Sequence, residues 1–376
     1  MPDAVPFSAM DLLAEIRSWV EIESPTTDAA AVNRMVDKVE ADAAAAGMTV
    51  RRMPGRDGYG DHLLVETPGG RNVPGILVLS HLDTVHPLGT LAKELPFRVD
   101  GDAAYGPGIY DMKGGALLAF AAMRYLVRAG RSDMLPVRQL LVSDEEVGSP
   151  TSRALIEEEA RRARYVLVTE PAREGGRVVT ARKGVARFEL KITGRAAHSG
   201  SRHEDGRSAV RELARQILDL EAMTDYATGV TVNVGVASGG TRANVVPEEA
   251  FAEIDMRVPN PVIGDAAVAR VLAIKPHDPD VTLTITGGLN RPGYEKSPEI
   301  AALFERAKTL AAGIGIDLMD MKTGGGSDGN FTAAIAPTLD GLGVDGSGAH
   351  THQEQLFVSS LVPRATLLLR LMETLR

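Results

Sequence analysis

Apolar residues recur at three- and four-residue spacing over 11–20 and again over 29–46, which predicts two amphipathic helices, the second stopping at Gly47. Gly75-Ile76-Leu77-Val78-Leu79-Ser80 is instead a short continuous apolar run, the pattern of a strand covered on both faces. Residues 137–142 and 165–168 repeat that pattern, and helical spacing fills 114–128 and 153–164 between them. Alternation of this kind predicts an α/β fold with a mostly parallel, helix-covered sheet. Such sheets place their ligands beyond the C-terminal ends of the strands. His81, Asp83, Glu145, Glu146 and Glu170 all fall there.

The period changes near Arg182. Residues 186–192 and 252–258 alternate polar and apolar side chains, as strands do when one face of their sheet is wet. Strand (185–193), helix (207–221), strand (229–237), strand (250–258), helix (264–274) and strand (281–286) make a β-α-β-β-α-β unit, the ferredoxin-like split motif, with Gly287, Gly288 and Pro292 read as the return linker. The expected organisation is therefore a catalytic domain over 1–182 and 291–376, with an inserted domain over 183–290. The closing segments are a helix (298–312), a glycine-rich loop (324–329) and a helix (359–374).

Composition narrows the classes. A net charge of −9 over 376 residues argues against a general nucleic-acid binder. No apolar stretch approaches the roughly 20 residues that cross a bilayer, and the first residues lack the basic start and apolar run of a secretory signal, so a cytoplasmic location with no membrane partner is expected. There is no cysteine, which excludes a thiolate-held structural zinc site. Carboxylates and imidazoles remain, the donors used when a divalent ion has to polarise water.

Each candidate has a bland reading beside the chemical one. His81 and Asp83 form either a ligand with the carboxylate that orients it or a polar turn. Asp111, in Gly106-Pro107-Gly108-Ile109-Tyr110-Asp111-Met112-Lys113-Gly114-Gly115, is a ligand or a helix N-cap. Glu145 and Glu146 repel each other at the end of a buried strand. A cation on one resolves that conflict and leaves the other free to accept a proton from water. Glu170, before Pro171, is similarly placed, and His350 opens His350-Thr351-His352-Gln353-Glu354. His62, His86, His203 and His277 match no ligand pattern and are expected at the surface.

Together these stretches resemble the M20 family of metallopeptidases, in particular its glutamate carboxypeptidase branch. The motifs are SHLDTV, GPGIYDMKGG, SDEEVGS, TEP, GRAAHSG, ANVVPEEA, DMRVP, TGGGSDGNF and HTHQE, in that order across almost the whole chain. The resemblance implies a zinc-peptidase-like catalytic domain and an inserted lid and dimerisation domain. It implies two divalent ions per subunit, Zn²⁺ with Mn²⁺ and Co²⁺ as alternatives: His81 and Glu170 on one, Glu146 and His350 on the other, Asp111 bridging. Glu145 would be the general base and Asp83 the partner of His81. His352 is a departure that competes with His350, although His350 stands where the pattern His-Ser/Thr-x-x-Glu puts the ligand. The same resemblance has His198 reaching an active site, often the partner subunit's in a homodimer.

Substrate contacts are expected from Asn244 and Arg257, which match the family's Asn-x-x-Pro and Asp-x-Arg signatures. The guanidinium fork of Arg257 suits a carboxylate. Gly324, Gly325 and Gly326 offer backbone N–H groups, and Arg291 is a candidate for a second carboxylate. The reading is a di-metal amidohydrolase that removes a C-terminal acidic residue, glutamate, from peptidyl or N-acyl substrates. Its rivals are an N-acyl-amino-acid deacylase of the acetylornithine or succinyl-diaminopimelate type and a non-catalytic binding protein on the same scaffold.

Overall fold

A computed structural model describes residues 6–68, 73–131 and 133–376. It divides into two compact units, Met1–Thr180 with Lys296–Lys322 and Ser327–Arg376, and Ala181–Glu295 with Thr323–Gly326.

The first unit opens with α1 (Ala9–Val20) and α2 (Ala29–Ala45), started by the side chains of Ser8 and Asp28, which accept from the amides of Asp11 and Ala31. Strands β1 (Thr49–Met53), β2 (His62–Glu66) and β3 (Gly75–His81) follow, then α3 (Gly114–Arg128), β4 (Val137–Val142), α4 (Arg153–Arg161) and β5 (Ala163–Val168). The sheet runs β1-β2-β4-β3-β5, and only β2 opposes its neighbours. Every residue of β3 is buried. Ile76 and Val78 join the core that holds α1, α2 and α3, whereas Leu77 and Leu79 join the core beneath α4 with Ile156 and Phe331. That two-sided burial is why β3 reads as an unbroken apolar run. In the first core the Trp19 ring meets Phe120 edge-on at 5.7 Å, and its indole N–H donates to Asp42 at 3.1 Å.

The second unit contains β6 (Gly184–Thr193), α5 (Ala209–Glu221), β7 (Thr231–Gly239), β8 (Glu249–Val258), α6 (Pro261–Leu272) and β9 (Thr282–Arg291). Its antiparallel order β7-β8-β6-β9 is that of a split β-α-β-β-α-β motif. Phe188, Leu190 and Ile192 of β6 point to the core with Leu213, Leu220 and Val271, while Arg187, Glu189 and Lys191 stay exposed. The expected linker is corrected here. Gly287 and Gly288 are paired with Phe188 and Arg187 inside β9. A Cβ on Gly287 would lie 2.1 Å from the Arg187 carbonyl oxygen, so this glycine permits a close strand approach, and the pairing continues through both glycines. Arg291 and residues 292–295 consequently travel with this unit, as does the 323–326 segment.

The first unit resumes with α7 (Pro298–Ala312), a two-residue strand β10 (Thr338–Leu339) that extends the sheet beside β5, and α8 (Val358–Thr374). A separate small sheet brings distant segments together. Gly346–Ser347 pairs with Gln355–Phe357 as a hairpin, and that hairpin pairs with Ala103–Tyr105. Among the described residues no helix is long and apolar enough to cross a membrane.

Gly115 shows how closely α3 is seated on the strand ends. A Cβ there would stand 2.1 Å from the Thr169 carbonyl oxygen and 2.9 Å from the Cα of Gly343. Backbone cannot yield as a flexible side chain does, so Gly115→Ala is expected to destabilise the protein by about 1–3 kcal/mol. A denaturant midpoint equal to that of the wild type would contradict this packing.

Candidate metal centre

Three parallel strands end together. His81 is the last residue of β3, Glu145 and Glu146 lie in a short 3₁₀ turn (Glu145–Val147) after β4, and Glu170 follows β5. Asp111 comes from the irregular turn (Ile109–Lys113) before α3. His350 comes from the loop of the small-sheet hairpin, where it takes a positive φ of 63°.

Asp111 stands between the two imidazoles. Its Oδ1 is 3.3 Å from His81 Nε2 and its Oδ2 is 3.3 Å from His350 Nε2. His350 Nε2 is also 3.2 Å from Glu146 Oε2, and His81 Nε2 is 3.9 Å from Glu170 Oε1. Among the described residues the donor groups able to converge on a cation are His81, Glu145 and Glu170, and His81, Asp111 and Glu146, with ligand atoms within 4.8 Å of one another in each. His352 makes no ion pair among the described residues, and its ring lies 6.4 Å from that of His86. The exposed side of the centre is that of His350, whose side chain is 54% accessible against 1% for His81.

The electrostatics show what the cluster lacks. Burial alone would depress His81, yet the hydrogen bond to Asp111 and the charges of Asp83, Glu145 and Glu146 hold it well above its ordinary value. His350 is pushed up to about 11 by its hydrogen bonds to Asp111 and Glu146. Burial raises Asp111, but the two imidazoles overcome it and hold the carboxyl far below the usual range. Glu146 Oε1 is buried with no hydrogen-bond partner. Negative charge dense enough to raise both imidazoles, with a carboxylate oxygen left unsatisfied, fits divalent cations held by nitrogen and oxygen donors.

The part played by Asp83 differs from the expected one. His81 Nδ1 hydrogen-bonds the main-chain carbonyl of Asp83 at 2.9 Å, with the carboxylate oxygen at 3.6 Å. The carboxylate instead accepts from the Glu145 amide at 3.3 Å, the Glu146 amide at 3.2 Å and the Thr26 hydroxyl at 2.8 Å. Burial pushes Asp83 up to about 7. It therefore ties the turn carrying the paired glutamates to the end of β3, and the carbonyl orients the imidazole.

Other residues escaped the sequence reading. Asp144 accepts from the amide and hydroxyl of Thr151 at 2.6 and 2.7 Å, and from those of Ser152 at 3.2 and 2.5 Å, which closes the loop after the glutamate pair. Next to Asp144 in sequence, Ser143 donates its amide to His62 Nδ1 at 3.3 Å, and His62 Nε2 meets the Thr151 hydroxyl at 3.1 Å. His62 and His86 are thus buried, contrary to the surface expected for them, because each has a polar partner inside. His203 is exposed and His277 pairs with Asp219 at 2.6 Å. Lys113 is also buried, its ammonium donating to the carbonyls of Ile22 at 2.6 Å and Trp19 at 3.3 Å. The signal for Asp144 was a Ser/Thr pair seven and eight positions on, too distant for a local turn rule.

The remaining candidates belong to the second unit. His198 is exposed, and its Nδ1 accepts from the amides of Gly200 at 3.1 Å and Ser201 at 3.2 Å, so the neutral ring carries its proton on Nε2, free to donate. The Asn244 carbonyl accepts from the Ser199 amide beside it. Arg257 grips Asp255 at 2.7 and 3.0 Å and leaves one nitrogen 3.4 Å from the Gly324 carbonyl. The Gly325 and Gly326 carbonyls accept from buried Arg182 at 3.1 and 3.2 Å, and Arg291 is buried against Gly326, its Cδ 2.9 Å from where a Cβ would stand.

A model of peptidase family M20/M25/M40 matches residues 77–374. The chain belongs to this family. It is 33% identical to carboxypeptidase G2 of Pseudomonas sp. (strain RS-16) over 363 residues, which covers 94% of the chain and 86% of that protein. Its fold is that of the M20 family metallo-carboxypeptidase Sso-CP2 from Sulfolobus solfataricus (TM-score 0.76, 17% identity, 96% of this chain and 98% of that one). A tripeptidase from Staphylococcus aureus is equally similar in fold (TM-score 0.77, 20% identity, 97% and 98% covered). The M20 protein described here is a hydrolytic enzyme of a metallopeptidase family, with a candidate metal site of histidine and acidic residues.

Proposed function

We propose that the protein is a di-metal amidohydrolase that removes a C-terminal glutamate, or a similar acidic residue, from peptidyl or N-acyl substrates. The observation that carries the reading is the Asp111 carboxylate, with one oxygen toward His81 and the other toward His350. In this reading His81 and Glu170 hold one ion, Glu146 and His350 the second, and Asp111 is shared. Zn²⁺ is the ion proposed, with Mn²⁺ and Co²⁺ compatible with the same donors, and when bound such ions would polarise the scissile carbonyl and make the attacking water more acidic.

Glu145 adjoins Glu146 and lies within reach of His81 and Glu170; in this reading it moves protons and the others hold the ions. As general base it takes a proton from the water as oxygen attacks the carbonyl carbon, then gives that proton to the nitrogen as the C–N bond breaks. One carboxylate and one free amino acid leave. The Asp83 carboxylate fixes the amides on either side of this division of labour, so the base and its neighbouring ligand keep separate directions. The proposed contact for an acidic leaving residue is Arg257, which is 30% accessible and would exchange Asp255 for the substrate carboxylate, whereas Arg182 and Arg291 are buried beside the 324–326 backbone. His198, with Nε2–H available, is the proposed donor to the carbonyl oxygen as charge develops on it.

Glu145→Gln keeps the shape of the base and removes its basicity, so kcat should fall by about 10²–10⁴-fold with metal content retained. Glu146→Gln should lose metal. Exchange of these phenotypes in metal analysis and steady-state kinetics would reverse the two roles. A panel of N-acetylglutamate, N-acetylornithine and a folate-like glutamate conjugate, read by amino acid release, is expected to favour the glutamate compounds. Preference for N-acetylornithine would make the enzyme a deacylase of that type. The exposed edge strands β7 and β9 of the second unit favour pairing with a second copy, and we infer a homodimer. Sedimentation should give the dimer mass for wild type and His198→Ala alike, with kcat reduced in the variant; an unchanged kcat would remove the histidine from the reaction.

A further inference from the structure

Glu354 lies four residues after His350 and is 1% exposed, although among the described residues no lysine or arginine is bonded to its carboxylate. Its hydrogen-bond partners among the described residues are N–H donors of the surrounding loops. Oε1 accepts from the amides of Tyr110 and Asp111, each at 2.9 Å. Oε2 accepts from the amide of Gly108 at 3.0 Å and from His86 Nε2 at 2.7 Å. His86 is itself 5% exposed and stands five positions beyond His81 on the same chain segment.

The position of Glu354 in the hairpin gives these bonds their meaning. Thr351 donates its amide to the Gly348 carbonyl at 3.1 Å, and the Glu354 amide donates to the Thr351 carbonyl at 3.3 Å, so His350 and Glu354 share one tight turn. A Cβ on Gly348, which has φ 78°, would meet the Gln353 carbonyl at 2.5 Å, leaving that turn little freedom. One side chain therefore joins the turn that carries His350, the turn that carries Asp111 and the segment that follows His81.

From this juxtaposition we infer that Glu354 is a positioning residue for the metal centre: it fixes the Asp111 backbone relative to His350 so that the shared carboxylate reaches both imidazoles. The inference rests on the di-metal reading above. Four donors converge on it, and a carboxylate is the one side chain of this length that accepts from all of them. Glutamine retains the shape but turns one acceptor into a donor aimed at an amide N–H. His86 completes the arrangement by holding the second oxygen toward Gly108.

The test is Zn²⁺ titration of the metal-stripped protein against a competing chelator, alongside thermal unfolding. Glu354→Gln is expected to fold and to bind both equivalents about 10–100-fold more weakly, as loss of an orienting partner does in metal sites. Glu159→Gln removes another buried carboxylate, one held by Arg51 at 2.7 Å and Arg162 at 2.9 Å, and serves as the comparison. It should lower the melting temperature and leave Zn²⁺ affinity unchanged. If Glu354→Gln behaves like Glu159→Gln, the residue is merely structural and the inference is overturned. Should Glu354→Gln not fold, His86→Leu decides, since it leaves Glu354 its three amides: weakened Zn²⁺ binding supports the inference and wild-type binding overturns it. Wild-type protein that takes up no Zn²⁺ would instead overturn the di-metal reading on which this one stands.

Discussion

Crowding of negative charge at one end of a buried sheet is the constraint to which the rest of the first unit answers. Asp83, Asp111, Glu145, Glu146 and Glu170 gather around two imidazoles, one fully buried and one half exposed. Like charges in that setting separate, protonate or acquire a cation. Here the backbone prevents separation. Main-chain amides grip Asp83 and Glu354 from several sides, and strand β3 offers no slack because both faces are packed. The folding energy of two hydrophobic cores is thereby used to hold an arrangement that repels itself until positive charge arrives.

The architecture makes this possible by drawing on sequence-distant segments in different ways. Parallel strands deliver His81, the glutamate pair and Glu170 to a common edge, as open α/β sheets do for any ligand. The remaining ligands arrive by other means. Asp111 depends on the turn before α3, and His350 on a hairpin registered against Ala103–Tyr105 only a few residues upstream of that turn. The small sheet is thus what brings the last part of the chain to the first part, and the hydrogen bonds of Glu354 finish the alignment.

Much of this was legible in the sequence, for a physical reason. The runs at 75–80 and 137–142 are apolar because burial on both faces leaves no place for polar side chains, and the alternation at 186–192 records a sheet with one wet face. The convergent carboxylates could be recognised because their spacing placed them beyond strand ends. What stayed hidden depends on partners that lie far away in the chain. His86 and His62 looked like surface histidines since their partners, Glu354 and Thr151, are 268 and 89 residues distant. Asp83 seemed a side-chain partner for His81 because a two-residue spacing permits it, but the main-chain carbonyl reached Nδ1 first. The glycines at 287 and 288 resembled a break, whereas only the pairing of β9 with β6 reveals that both lie within the strand and that a side chain at Gly287 would strike the neighbouring one.

The two histidines of the centre are anchored in different ways. His81 closes a strand whose alternate residues belong to different cores, so moving its backbone requires both cores to open and draws on the global stability of the unit. His350 is half exposed, yet its turn is fastened through the four hydrogen bonds of Glu354, and Ala349 beside it packs on the first core. Access from solvent on this side is therefore a property of the ring, while the backbone beneath it stays tied to the rest of the unit.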